Sequence, residues 1–345
     1  MREARRFVFR WAFVLAFAGV AGSGAGAWAQ TPVLFCASWV INAERTHVIV
    51  ALDKGYFKAE GLDVDFVRGS GSGDTFRRVG IGSCRFGETA AGAAILGRAQ
   101  GVRGKLVAIH GSRMEETVYF FTGSGIQSPK DLEGKRLAGG PKQSSNVLMF
   151  SVLARVNGID LSKVQMVHGS PGAVIPSLGA GQADAALSYY RSRTAFEKVA
   201  QQAGKELRWM RFVDHGLDLY QDGITASDET IAKQGDLIIK FLRGLYRGIA
   251  NALNDPEGAV DIYMKHYPGQ SREFSLRTLR LTQEGLFDKH YAKEGFGRIN
   301  REKMASTLRT TLEAYGAQHT LTPEDVMTNR FIDQLPRDLR FPKKG

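Results

Sequence analysis

Cysteine is scarce: Cys36 and Cys84 are the only two in 345 residues, too few for a disulfide scaffold. Neither belongs to a CxxC pair and the seven histidines are dispersed, so metal-ligand spacing is absent and neither a metal nor a cofactor is expected. No GxSxG elbow exists, and no nucleophile is set beside a base. The glycines at 139–140 lack the spacing to Lys-Ser/Thr that a P-loop requires. Internal repeats, low-complexity tracts and long polar linkers are also missing. Formal charge is +11, but Lys and Arg are scattered among acids, which argues against a nucleic-acid partner. An anionic ligand is compatible with that balance without being demonstrated by it.

Long apolar runs are confined to the beginning. Arg2, Arg5, Arg6 and Arg10 precede an apolar stretch over residues 11–22, and Ala27-Trp28-Ala29 places small residues where a signal peptidase reads. Residues 1–29 are therefore expected to be a cleaved signal peptide that sends the chain to the periplasm. The stretch is short for a spanning helix, which needs about 20 apolar residues. Without this segment the charge is +8, and the 316 residues that remain exceed what one core holds, so two lobes are expected.

From residue 32 to 111 short apolar runs (33–37, 64–67, 84–86, 106–110) alternate with helical patterns, which predicts a mainly parallel sheet covered by helices. A second α/β unit follows, including a helix over 145–157 that ends at Gly158. A strand near 219–226 and a mostly helical tail come last, so the middle unit reads as an insertion, with crossings near 112–118 and 211–220. Cys36 and Cys84 fall on runs read as neighbouring strands. Parallel neighbours rarely give disulfide geometry, so two buried free thiols are expected, an oxidised pair being the alternative that export allows.

The stretch Leu52-Asp53-Lys54-Gly55-Tyr56-Phe57-Lys58-Ala59-Glu60-Gly61-Leu62-Asp63-Val64 resembles the signature of the nitrate/sulfonate/thiamine-precursor family of ABC solute-binding proteins. Ser128-Pro129-Lys130-Asp131-Leu132, Val156-Asn157-Gly158-Ile159-Asp160 and Gly179-Ala180-Gly181-Gln182-Ala183-Asp184 match the same family in the same order. Most of these residues are read as structural, turning helices into strands. The resemblance implies a periplasmic binding protein type II fold: α/β, two lobes, each a mixed, mainly parallel sheet flanked by helices, joined by two hinge crossings. It places the first lobe at 30–115 and 216–345, with 116–215 inserted as the second. It also implies a small-molecule ligand held between the lobes and an inner-membrane ABC permease with its ATPase as partners. A monomer is expected.

In open α/β sheets ligands sit beyond the carboxyl ends of strands, and four loops qualify. Ser38, Trp39, Asn42 and Arg45 follow the first strand; Trp39 offers stacking or a lid over its own core. Arg45 offers a fork for a carboxylate or sulfonate, or else pairs with Glu44 or Asp74. Asn42 matches the thiamine-precursor branch, whereas Ile41 and Arg45 stand where that branch has proline and histidine. Gly87, Glu88 and Thr89 are read as a loop after the third strand, with Glu88 preferred as a helix cap over a ligand contact. Gly140, Lys142, Ser144 and Ser145 could cradle an oxyanion at a helix start, or be an ordinary cap. Tyr189 and Tyr190 offer aromatic faces, with His168 and Asp222 as weaker candidates. Catalytic residues are not assigned. The ligand expected is a small organic anion or an aromatic heterocycle. The rivals are a pyrimidine-precursor synthase on this fold, whose cysteine-rich cluster is absent here, and a periplasmic ligand-sensing adaptor.

Overall fold

The computed structural model describes residues 30–287, 289–317 and 320–342. The expected export segment, 1–29, lies outside them. No helix among the described residues is long and apolar enough to cross a membrane.

Among the described residues, ten strands form two five-stranded sheets. β1 (Thr31–Cys36), β2 (Leu62–Val67), β3 (Phe86–Ala90) and β4 (Gly104–Ile109) belong to the first. β5 (Glu116–Phe121), β6 (Arg136–Gly139), β7 (Gln165–His168), β8 (Ala185–Tyr189) and β9 (Leu207–Arg211) make the second, after which β10 (Asp222–Ser227) returns to the first. The orders are β2-β1-β3-β10-β4 and β7-β6-β8-β5-β9. In each sheet four strands run the same way, and one strand entering from the other lobe pairs antiparallel on both sides: β10 with β3 and β4, β5 with β8 and β9. The result is a two-lobed α/β architecture in which the chain passes between sheets at 110–115 and returns at 212–221.

Each sheet is buried because helices cover it. Helix Gly235–Asn254 presents Ile238, Phe241, Leu245 and Ile249 to the first sheet, and Phe241 stacks on Phe86 with ring centroids 4.1 Å apart. Two helices follow Ser227, Asp228–Lys233 and Gly235–Asn254, because Gln234 leaves helical geometry (φ −133°, ψ 43°). In the second lobe Tyr119 stacks on Phe196 at 4.0 Å, and helix Ser145–Asn157 buries Met149, Val152 and Leu153. The family-like segment is a turn device. Gly55 adopts φ +67° between two helices, a conformation without penalty for glycine, and this drops Phe57 onto Phe241.

Two expectations need correction here. β3 does not run over 84–86 but begins at Phe86 and continues through Ala90, so Gly87, Glu88 and Thr89 are strand residues and Glu88 caps no helix. The cysteines are not free thiols: Cys36 and Cys84 form a disulfide, with Cα atoms 6.0 Å apart. The objection from parallel strands fails because Cys84 lies in the turn before β3. There, Arg85 N–H donates to Leu34 O (2.9 Å), which sets Cys84 beside the end of β1. Both cysteines are fully buried, and the bridge closes a separation of 48 residues. In the chain-entropy account such a loop contributes about 4 kcal/mol. Reduction with dithiothreitol, or Cys36→Ala with Cys84→Ala, is expected to lower unfolding stability by about 2–4 kcal/mol in urea titrations; an unchanged midpoint refutes a structural bridge.

Candidate functional site

The carboxyl ends of β1, β3 and β8 meet the two crossings at a buried cluster of charge. Arg191, just after β8, occupies its centre. Its Nε donates to Glu44 (2.9 Å), Nη1 to Glu115 (2.5 Å) and Nη2 to Asp222 (2.8 Å). Those three acids come from the first-lobe loop, the outward crossing and the returning strand. Ser192 adds a hydrogen bond to Glu44 (2.7 Å), so two consecutive second-lobe residues grip one first-lobe acid.

Arg45 is a second centre, 1% exposed. Its Nε donates to Glu88 (2.9 Å), Nη1 to Val40 O (3.1 Å) and Glu44 (3.4 Å), and Nη2 to Ser38 Oγ (3.3 Å). Its fork is thus occupied by the protein's own acceptors, the pairing with Glu44 weighed above plus one with Glu88 that sequence reasoning missed. Glu88 also accepts from Ser38 N (3.3 Å) and meets His110 Nε2 (3.3 Å).

Glu44, Glu88, Glu115 and Asp222 are thus four carboxyls sharing two guanidiniums, with Glu116 beside them on Gln221 (3.2 Å), all but excluded from water. Burial opposes charge on Glu44, yet Arg191 and Arg45 outweigh it and hold the carboxyl below its usual range. Burial likewise opposes Glu88, and Arg45 with His110 brings it well below. Burial pushes Glu115 up to about 7, Arg191 pulling back only in part, and burial with Asp222 nearby pushes Glu116 to about 7. Burial and His110 hold His47 down at about 3. The signs follow by linkage. Glu115 and Glu116 support folding fully below their ordinary 4.5, and that support is lost as pH rises through about 7. His47 acts oppositely, supporting folding above its ordinary 6.5 and losing that support as pH falls to about 3.

Beside the charges lies an aromatic contact between the lobes. Trp39 packs edge-on against Tyr189 (6.2 Å, 81°), and a Cβ on Gly140 would come within 2.5 Å of Trp39 Cη2. Tyr189 shares a hydrogen bond with Ser145 (3.0 Å), and Ser144 is held by Pro141 O and Asn146. Gly73 N–H donates to Gln143 O (2.9 Å) across the lobes. The space among Glu44, Arg45, Glu88, Arg191 and Asp222 is a cavity of about 20 Å³, room for one water, so a larger solute enters only when the lobes part.

The remaining candidates lie further out. Asn42 is half-buried and caps the turn Ala43–Arg45 by accepting from Glu44 N (3.2 Å). Lys142 is exposed, and His168 is exposed with Nδ1 on Gly140 O (3.0 Å). Tyr190 faces Arg193 and Arg211 rather than Trp39, its hydroxyl accepting from Arg193 (2.7 Å). Thr89 pairs with Thr225 (3.1 Å), and the Gly87 carbonyl accepts from the same threonine (3.0 Å). Sequence reasoning missed Glu115, Glu116, His47, His110 and Gln221; a Glu-Glu pair on a crossing between strands was the one legible signal. Glu88, His110 and Asp222 bring ligand-type atoms within 4.8 Å of one another, yet Arg45 and Arg191 already neutralise the two acids. A cation there would confront both guanidiniums.

Replacing Arg191 with Met strands three buried acids. Unfolding stability at pH 7.5 is expected to fall by about 3–5 kcal/mol, and less at pH 5, where stranded carboxyls take up protons. Urea titrations at both values check this; an equal loss at each contradicts it.

The formylaminopyrimidine-binding protein of Halalkalibacterium halodurans is 26% identical over 229 residues, 66% of this chain and 68% of the relative. The riboflavin-binding protein RibY of Chloroflexus aurantiacus is 25% identical over 263 residues, 74% and 72% of the two chains. A more distant relative, 23% identical over 65% of this chain and 66% of its own, is the 4-amino-5-hydroxymethyl-2-methylpyrimidine phosphate synthase of Schizosaccharomyces pombe. The alkanesulfonate-binding protein SsuA of Xanthomonas axonopodis, bound to MOPS, superposes with a TM-score of 0.67 at 15% identity, covering 87% of this chain and 98% of that one. That likeness shows the periplasmic binding protein fold. The model described as NMT1/THI5 like matches residues 42–259, well over half of the sequence, and the chain belongs to that family.

Proposed function

We propose that this protein is the solute receptor of an ABC importer, capturing a flat, hydrogen-bond-donating solute between its lobes rather than a small anion. The observation that carries the choice is the charge balance at the junction. Four buried carboxyls share two guanidiniums whose forks already point at protein acceptors. An incoming sulfonate or nitrate would meet uncompensated acid there, whereas N–H groups would find acceptors. Trp39 and Tyr189 supply apolar faces suited to a ring.

The lobes are 30–115 with 216–345, and 116–215, and closure turns on the two crossings. Residues 1–29 direct export, so the work is done in the periplasm by a monomer. The partners are a small-molecule solute and an inner-membrane permease with its ATPase, which reads the closed form. Ser38, Trp39, Glu88, Ser145, Tyr189 and Asp222 lie nearest the solute. Arg45 holds Glu88 in place, and Gly140 leaves space for Trp39. The relatives that bind formylaminopyrimidine and riboflavin lend support to a heterocyclic cargo.

Thermal-shift and calorimetric titration against aminopyrimidines, riboflavin, alkanesulfonates and nitrate tests the reading. A heterocycle is expected to raise the melting temperature saturably and without being consumed. Trp39→Ala is expected to weaken that ligand about tenfold. Saturable binding of a sulfonate alone overturns the choice of solute, and turnover of the bound compound replaces the receptor with an enzyme.

A further inference from the structure

Glu115 and Glu116 are consecutive carboxyls on the outward crossing, and the junction walls them in from both lobes. Glu115 accepts from Arg191 of the second lobe (2.5 Å), and a Cβ on Gly285 of the first would collide with its Oε1. Glu116 accepts from Gln221 Nε2 (3.2 Å), with Ser145 a further hydrogen-bond partner. Gln221 Oε1 in turn accepts from Glu115 N (2.9 Å), so the two crossings are tied together at this pair of acids.

Cations are in short supply around them. Arg191 is shared by Glu44, Glu115 and Asp222, and Arg45 by Glu44 and Glu88, so two guanidiniums serve four carboxyls before Glu116 is counted. Nothing else packed against the pair makes up the difference. His47, on helix Thr46–Asp53, is held neutral by burial and by its neighbour His110, which itself faces Glu88 (3.3 Å). Helix Arg272–Glu284 brings only Thr282 to this space, followed by Gly285 and Leu286. Asp222 and Tyr189 face Glu116, and neither is a cation.

We propose that Glu115 and Glu116 are a proton-operated lock on the lobes, taking up protons from water as the junction closes and returning them as it parts. This rests on the receptor reading above, in which the lobes part to admit a solute, and adds that closure is linked to proton uptake. Parting the lobes opens the walls around both carboxyls to water, which solvates the ionised form; closing them leaves both in a low-dielectric interior without a cation of their own. Burial in the closed form pushes each up to about 7 from an ordinary 4.5. Closure is therefore favoured by the extra protons below about 7, and that advantage is lost as pH rises through 7. Glu44 and Glu88, held low by the guanidiniums, stay ionised through this range. His47 opposes closure only below its ordinary 6.5.

Amide hydrogen exchange on the protein without added solute reads the lock directly. Gly73 N–H donates to Gln143 O across the lobes (2.9 Å), so its protection, corrected for the intrinsic rate at each pH, reports the ratio of closed to open forms. Amides within β5 report global unfolding instead. Between pH 6.5 and 8.5 the Gly73 protection factor of wild type is expected to fall about tenfold, each carboxyl supplying roughly a factor of three. Glu115→Gln combined with Glu116→Gln, uncharged at either pH, is expected to show no fall, and Glu115→Gln alone a fall of about threefold. Circular dichroism and β5 protection confirm that both variants fold. Equal protection of wild type at the two pH values overturns the lock, as does a tenfold fall that persists in the double variant. Either result leaves the receptor reading to be decided by solute titration at a single pH.

Discussion

The arrangement of the two lobes depends on one guanidinium. Arg191 ties a first-lobe loop acid, an acid on the outward crossing and an acid on the returning strand to a residue of the second lobe. None of these groups tolerates burial alone, because a lone charge in a low-dielectric interior costs several kcal/mol. Together they exchange charge for hydrogen bonds, and the exchange is complete only when the lobes meet. The junction therefore resists being half-made.

That same economy shapes what the junction accepts. A positively charged protein would ordinarily be read as a binder of anions, and the sheet architecture is shared with an alkanesulfonate-binding protein. Yet the surplus of basic residues lies on the surface, while the interior of the junction is acidic. Net charge describes long-range attraction and solubility; the four carboxyls and their two saturated guanidiniums describe what is met at contact. Shared architecture at 15% identity leaves cargo to the side chains that line the cleft.

The architecture itself arises from economical rules. Each lobe repeats one strand order, in which a strand arriving from the other lobe pairs antiparallel inside an otherwise parallel sheet. Both crossings thereby end in a sheet interior rather than at an edge, which anchors the hinge in two cores at once. The disulfide from Cys36 to Cys84 sits at the end of β1, immediately before the loop that carries Trp39 and Arg45, and stiffens its root.

Much of the fold was legible from the amino-acid sequence because periodicity, caps and glycine turns are local. The helix Ser145–Asn157 appeared with its expected limits. The same local rules misread Glu88, since a Gly-Glu-Thr triplet looks like a turn until β10 pairs with it and makes it a strand. They also misread the cysteines, whose proximity depends on a backbone bond between Arg85 and Leu34. The sequence alone determined the fold class, the family signature and the aromatic and acidic residues available for a site. Only the tertiary structure decided which charges neutralise one another and that Arg45 is spent on Glu88. Those outcomes are sums over neighbours far apart in sequence, and no local pattern encodes them.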